Sequence, residues 1–345
     1  MHTTRSFHPG LTAALLLALA CGVATAAPAR FAERDVSFQN GAVELRGTLI
    51  VPAAAGRHPA VVFLHGSGPV TREGARPYAE EFAAIGVAGL VFDKRGSGAS
   101  GGSWTTSSLD DLAGDGLAAI AYLKTQPEID PARIGFWGVS QAAWVATRAT
   151  ARSGGDVAFM VLISGGGASP RESELFSYEQ EFEKAGLTAA ELSDARGLVD
   201  AYLAFLATGE GRPALVARLA GLREGRLSPL AEQIDGILPS DENRTNWSWV
   251  AAWDPAEDTA TITCPVLLMF GDRDTSHPTD VSVRKWKDGL KQAGNDAVTL
   301  VVFPGAGHGI RMRDGFTGKG RPPFADGYAD LMLGWLWRNV VTEKQ

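Results

Sequence analysis

The chain has 345 residues, 45% of them hydrophobic, with a formal net charge of -7, 41 glycines, 18 prolines and two cysteines. That length and apolar content can bury a sizeable core, and an acidic balance without a Lys/Arg cluster excludes nucleic acid and an anionic membrane surface as principal partners. Glycine and proline are spread through turns rather than gathered in a linker, and the sequence shows neither an internal repeat nor a coiled-coil heptad.

At the N-terminus, Arg5 precedes the apolar run Leu11 to Ala20, and Ala24-Thr25-Ala26 offers a small-x-small cleavage site. This is the layout of a secretory signal peptide over residues 1–26. The run is shorter than the roughly 20 residues of a membrane span and no later segment supplies one. An exported protein, periplasmic or secreted, is therefore expected, with no integral membrane segment in the mature chain. Cys21 follows Ala18-Leu19-Ala20, which leaves lipoprotein anchoring as the lesser alternative. Cleavage would leave Cys264 as the only thiol and exclude an intrachain disulfide.

Residues 35–38 and 43–51 alternate and are joined through Asn40-Gly41, which predicts an antiparallel hairpin. The following runs, at 60–64, 89–92, 134–137, 159–163, 266–270 and 298–303, are short and apolar on both faces, as strands of a helix-covered parallel sheet must be. Helical patterns lie between them at about 76–85, 109–125, 141–152, 279–293 and 324–341. Repeated strand and helix give an α/β fold. Residues 169–250 interrupt that rhythm without a convincing strand and are expected to form a helical cap, with Thr188 to Glu191 as a capping box. The core is then expected in two parts, 27–168 and 251–345. Trp247, Trp249 and Trp253 at the exit of the cap fit either packing of cap on core or contact with substrate.

The corner Gly138-Val139-Ser140-Gln141-Ala142 lies between a buried strand and a helix. Small residues on both sides let the chain turn abruptly and project the Ser140 hydroxyl above the carboxyl edge of the sheet. A hydroxyl needs an adjacent base to act as a nucleophile. His308, in the glycine-rich loop 304–309 after the last core strand, is the candidate base. Asp272 and Asp274, after the preceding strand, compete as the acid that orients it. The Gln141 N–H at the helix start can point at an oxyanion. A second donor is expected from the loop His65-Gly66-Ser67-Gly68, from the Ser67 N–H first and Gly68 otherwise. His65 reads as a brace for that loop, and no zinc pattern accompanies it.

These pieces together resemble the α/β-hydrolase superfamily, in its serine aminopeptidase-like and dienelactone hydrolase-like esterase branch. The matching stretches are HGSGP at 65–69, FDKRGSGAS at 92–100, GVSQAA at 138–143, CPVLLMFGDRDTSHP at 264–278 and PGAGHG at 304–309. The resemblance covers roughly residues 35–340. It implies an eight-stranded, mostly parallel sheet with an inserted helical cap, Ser140 as nucleophile, Asp274 rather than Asp272 as the acid, and His308 as base. It also implies that Asp93 and Arg95 support loop geometry, against the alternative of a surface ion pair. The sequence departs from the family at Ala142, where the family usually has glycine.

The function expected is a serine hydrolase of small to medium carboxylic esters, working through an acyl-enzyme with no cofactor and no metal, in a pocket between cap and core. The alternatives are a peptidase of short peptides and a non-catalytic binding protein on the same fold. A peptidase would take the peptide amine in an acidic pocket, for which the cap offers Glu172, Glu174, Glu179, Glu181 and Glu183.

Overall fold

The computed structural model describes residues 30–313 and 316–342. The expected signal peptide over residues 1–26 and Cys21 lie outside the described residues. Within them no helix is long and apolar enough to cross a membrane, and Cys264 is a free thiol.

Eight strands form one sheet in the order β1-β2-β4-β3-β5-β6-β7-β8. β1 (Phe31–Asn40) and β2 (Val43–Pro52) are the expected hairpin, turned at Gly41 with φ 59°. β2 pairs antiparallel with β4 (Ala88–Phe92). From β4 onward all pairings are parallel, through β3 (His58–Phe63), β5 (Ile129–Val139), β6 (Met160–Ile163), β7 (Val266–Gly271) and β8 (Val298–Phe303). β5 begins earlier than its apolar run because Ile129 pairs with His58 before a register shift brings Ile134 opposite Ala60.

Residues of one strand alternate between the two faces, and both faces are buried in the apolar runs of β3 to β7, whereas the edge strand β8 is mostly half-buried and its Val302 exposed. Val62, Phe136, Leu162 and Leu268 belong to one apolar cluster, whereas Val61, Trp137, Val161 and Leu267 belong to the other. That explains runs without polar alternation. Each such side chain contributes roughly 1.5–3 kcal/mol on burial. α1 (Arg76–Ala84) shares the second cluster with Tyr328, Met332 and Leu336, while α2 (Leu109–Lys124) and α3 (Gln141–Arg152) cover the first.

Between β6 and β7 the chain makes a helical insertion. It comprises α4 (Pro170–Ala185), α5 (Ala189–Thr208), α6 (Arg212–Gly221), α7 (Ser228–Ile237) and the short α8 (Arg244–Trp247), α9 (Trp249–Ala252) and α10 (Ala256–Thr259). α4 and α5 each start on a capping box, Ser169 with Glu172 and Thr188 with Glu191, which satisfies end amides that no earlier turn can reach. Tyr178, Phe182, Leu198, Tyr202 and Phe205 are buried among these helices. Two of the tryptophans dock the insertion on the core: Trp249 meets Trp144 edge-on, and the Trp247 indole donates to the Thr105 carbonyl at 2.7 Å.

α11 (Thr279–Gln292) and α12 (Tyr328–Leu336) complete the fold. α12 starts later than its apolar pattern because Phe324 pairs with Arg311 in a β-bridge and Gly327, at φ 77°, turns the chain into the helix.

Candidate active site

Ser140 follows β5 and caps α3 at φ 64°, ψ -127°, a positive-φ backbone that costs a side-chain-bearing residue of order 1–3 kcal/mol and is held only where the surroundings over-determine it. The surroundings do so. The Ser140 N–H donates to the Ile163 carbonyl at 2.9 Å, and its carbonyl accepts from the Ala143 N–H at 2.9 Å. A Cβ on Gly138 would overlap the Ala142 methyl, and one on Gly165 would overlap the Ser140 carbonyl. The alanine at 142, where the family usually has glycine, therefore fits because Gly138 leaves room for its methyl. The Gln141 N–H opens α3 and has no earlier turn to bond to, so it remains available at the helix's positive end.

The flank of Ser140 toward β3 and β4 is held by buried charge. Lys94 is buried, and its ammonium donates to the Gly66 carbonyl at 2.8 Å, the Gly68 carbonyl at 3.2 Å and Gln141 Oε1 at 2.9 Å. One side chain thus ties the loop carrying Ser67 to the corner carrying Ser140. Burial pushes its pKa down to about 8. His65 Nε2 lies 2.6 Å from the Phe92 carbonyl and burial pushes the ring down to about 4, so the neutral ring donates there and anchors the same loop to β4. Ser67 is exposed and Gly68 sits at φ 77°.

Asp93 and Arg95 are both buried and do not pair with each other. Asp93 accepts from Arg72 Nη2 at 3.0 Å and from the amides of Arg72 and Ala99 at 2.9 Å. Burial works to raise its pKa, but Arg72 and the two amides hold it below the usual carboxylate range. Arg95 grips Asp115 with two bonds of 2.6 and 2.7 Å and reaches Ser107 at 2.9 Å. The surface ion pair offered as the alternative for these residues is replaced by two separate buried networks.

On the other flank, Asp274 is buried at 5% exposure and its Oδ2 lies 2.9 Å from His308 Nδ1. Its Oδ1 accepts from the amides of Ser276 at 2.8 Å and His277 at 3.1 Å. Burial acts to raise the Asp274 pKa, and the bond to His308, the charges of both histidines and the Ser276 amide lower it below the ordinary value. Asp272 is exposed and accepts from the Gly305 amide at 2.7 Å, turning the loop that leads to His308. The His308 loop is also held by Ser164 Oγ, which accepts from the Gly309 N–H at 3.0 Å.

A second imidazole stands beside the serine. His277 is buried, its Nε2 lies 3.4 Å from Ser140 Oγ and its Nδ1 3.1 Å from Ser173 Oγ. Its ring stacks on that of His308 with centroids 5.3 Å apart and planes 11° from parallel. Among the described residues Ser140 has a hydrogen bond to His277 and none to His308. His277 and Lys94 lie in the stretches 264–278 and 92–100, and neither has a role assigned from sequence. The signals were present: a histidine three places after the acid, and a lysine between Asp93 and Arg95.

A cavity of about 240 Å3 reaches Ser140 and is lined by His65, Gly66, Phe92, Trp137 and Arg321, among others. No residue of the insertion lines it, which differs from the pocket expected between cap and core: the loop after β3 and the segment near 321 form its walls. The described residues hold no cluster of histidine, cysteine and carboxylate suited to a metal.

Known proteins agree with this architecture. The quorum-quenching protein AidA of Acinetobacter baumannii (strain MDR-ZJ06) is 38% identical over 109 residues, 31% of this chain and 35% of that protein. A thiohydrolase of Eupenicillium brefeldianum is 38% identical over 121 residues, 34% of this chain and 38% of its own. The chain thus spans little more than a third of the length of these curated relatives. The solved esterase Pf2001 of Pyrococcus furiosus superposes with a TM-score of 0.58 at 22% identity, over 90% of this chain and 91% of that one, a likeness of fold. The model of the alpha/beta hydrolase family matches residues 61–315, most of the sheet together with Ser140, Asp274 and His308, and the chain belongs to that family.

Proposed function

We propose that the chain is a serine hydrolase that cleaves carboxylic esters of small to medium size through an acyl-enzyme. The observation that carries this reading is a strained Ser140 at the same sheet edge as Asp274, which is buried and bonded to the half-buried His308. Ser140 Oγ attacks the acyl carbon, His308 takes its proton, and Asp274 holds the imidazole with Nε2 free to do so. The oxyanion is received by the Gln141 N–H and by the loop at Ser67, with Gly68 as the fallback donor. Water then releases the acyl group by the same route. Lys94 supports the reading because it sets the distance between the two donor segments and brings positive charge close to both.

Esters are favoured over peptides by the state of the acidic residues on α4. Glu172 is neutralised by Lys285 at 2.7 Å and Glu179 by Arg196 at 2.6 Å. Burial pushes Glu174 up to about 7. Glu181 and Glu183 have no ion pair among the described residues, but neither lines the cavity at Ser140, so no free carboxylate of α4 stands there to receive a peptide amine. The cavity beside Ser140 suits an acyl or alcohol group of modest size. A thiohydrolase among the relatives makes thioesters the next substrates to try. Export to the periplasm or medium, on the strength of residues 1–26, completes the reading.

The test is a panel of ester, thioester, lactone and aminoacyl-arylamide substrates with wild type, S140A, H308A and the double variant, plus labelling by a fluorophosphonate probe. Each single variant is expected to lose at least ~10³-fold in kcat/KM, and the double to be little worse than either, because residues of such a unit are grossly non-additive. Near-wild-type turnover by S140A would overturn the reading.

A further inference from the structure

His277 carries the strongest observation that the three-residue mechanism does not use. Its ring is enclosed. Trp144 packs against it with centroids 5.0 Å apart, His308 stacks on it, and it is 4% exposed. Both ring nitrogens face hydroxyls, Ser140 Oγ at Nε2 and Ser173 Oγ at Nδ1. Its backbone amide is bonded to Oδ1 of the same Asp274 whose Oδ2 holds His308. One carboxylate therefore places two stacked imidazoles, and His277 is the one within reach of the reacting hydroxyl.

The tautomer follows from counting hydrogens. Ser173 is 3% exposed, and among the described residues its hydroxyl has no hydrogen-bond partner other than His277 Nδ1. A buried hydroxyl hydrogen without an acceptor is costly, so Ser173 donates and Nδ1 accepts. A neutral ring with a bare Nδ1 carries its hydrogen on Nε2. Burial, followed by the charge of neighbouring His308, pushes His277 down to about 4, against the opposing pull of Asp274, which keeps the ring neutral under ordinary conditions. The hydrogen on Nε2 points at Ser140 Oγ.

Resting on the serine-hydrolase reading above, we propose that His277 is a further catalytic residue, a neutral imidazole that donates its Nε2–H to Ser140 Oγ with its tautomer set by the Ser173 hydroxyl. Accepting a bond from His277 leaves the serine's own hydrogen free for His308. When Oγ bonds to the acyl carbon, its proton passes to His308 Nε2 and the carbonyl π pair moves onto the oxygen held by the backbone amides. The His277 proton stays on nitrogen throughout. Charge grows on Oγ as its proton departs, and again when the acyl–Oγ bond breaks in deacylation. A donor already aimed at that oxygen binds it more tightly then than in the ground state, which is the condition for acceleration. The 3.4 Å separation is long for a resting hydrogen bond, and such catalytic contacts tighten as the reaction proceeds. The insertion thereby enters the chemistry, since Ser173 belongs to α4.

The test uses the full chain with H277F, which keeps an aromatic ring without nitrogens, H277Q, which restores an N–H donor, S173A, and S173A/H277F. Two readouts are taken: the rate of fluorophosphonate labelling at Ser140, which requires no knowledge of the substrate, and kcat and KM on p-nitrophenyl acetate, with thermal unfolding as a check on folding. H277F is expected to lower kcat and the labelling rate about 10²-fold with KM within about threefold, as removal of one such donor does. H277Q should recover most of that loss. S173A should cost about tenfold alone and nothing further in the H277F background, because the two act as one unit. Labelling and kcat of H277F within about twofold of wild type would overturn the proposal and leave the hydrolase reading standing, as would an H277Q as impaired as H277F at equal stability. A wild type that the probe does not label would overturn the hydrolase reading and the proposal with it. Full activity in H308A, lost in H277F, would make His277 the base and overturn the donor role.

Discussion

The two flanks of Ser140 are built in different ways. Toward β3 and β4 the site is held by buried ions: Lys94 on three acceptors, Asp93 on Arg72, Arg95 on Asp115. Toward β7 and β8 it is held by one carboxylate, Asp274, which contacts the His308 ring and accepts from the His277 backbone amide. In the proposed mechanism the first flank sets backbone positions, where the oxyanion donors are, and needs rigidity. The second would move a proton, and needs groups whose charge can change without leaving an ion stranded. The insertion follows a third pattern. Its ion pairs, such as Arg196 with Glu179 and Arg226 with Glu191, are largely exposed, and its stability rests on the apolar contacts of α4, α5 and α9.

The largest effect that separates the flanks is on catalysis. D274N should lower kcat/KM by about 10³–10⁴-fold because the amide no longer holds His308 in the tautomer that accepts the serine proton. D272N should stay within about threefold, since the amide oxygen can still accept the loop bond from the Gly305 N–H. Comparable damage from both, in equally folded proteins, would erase the assignment of Asp274 as the orienting acid.

On the ionic flank the comparable change should appear in stability. D115N leaves Arg95 buried with its partner's negative charge gone, and breaking such a pair costs about 3–5 kcal/mol, read from urea unfolding. Lys94 sharpens the contrast through pH. Its three acceptors require three hydrogens, and the neutral amine offers two, so kcat/KM should fall as pH rises through about 8. K94Q should lower the plateau by about 10–10²-fold and remove that alkaline limb. An unchanged limb in K94Q would assign it to another group.

A smaller effect concerns His65. Its folded pKa of about 4 lies below the ordinary 6.5, so the unfolded chain binds the extra proton between those values. Stability from the neutral buried ring is fully present above about pH 6.5 and lost as pH falls toward 4, at up to about 1.4 kcal/mol per pH unit. H65N, which keeps an amide donor for the Phe92 carbonyl, should flatten the wild-type slope by one proton in that window. A slope unchanged in H65N would show that the ring is already protonated in the folded protein. The smallest effect is expected at the exposed Arg196–Glu179 pair, where E179Q should cost under about 1 kcal/mol.

Much of this molecule was legible in the chain because its information is local. A strand buried on both faces needs apolar residues at every position, so the runs at 60–64, 159–163 and 266–270 announce themselves, and β3, β6 and β7 lie on them. A capping box needs two residues at fixed spacing, and Thr188 with Glu191 forms it. The corner at Ser140 needs small neighbours in sequence, and Gly138 and Ala142 are there. What tertiary structure alone decided are the partners of buried polar groups. Asp93 and Arg95, neighbours but one in sequence, take Arg72 and Asp115, residues distant along the chain, as their separate partners. Lys94 reads as any charged loop residue until Gly66, Gly68 and Gln141 surround its ammonium. His277 acquires meaning when Ser140 and Ser173, distant along the chain, arrive at its two nitrogens. A buried polar atom must be satisfied by whatever the fold brings to it, and sequence spacing carries no record of which atom that is.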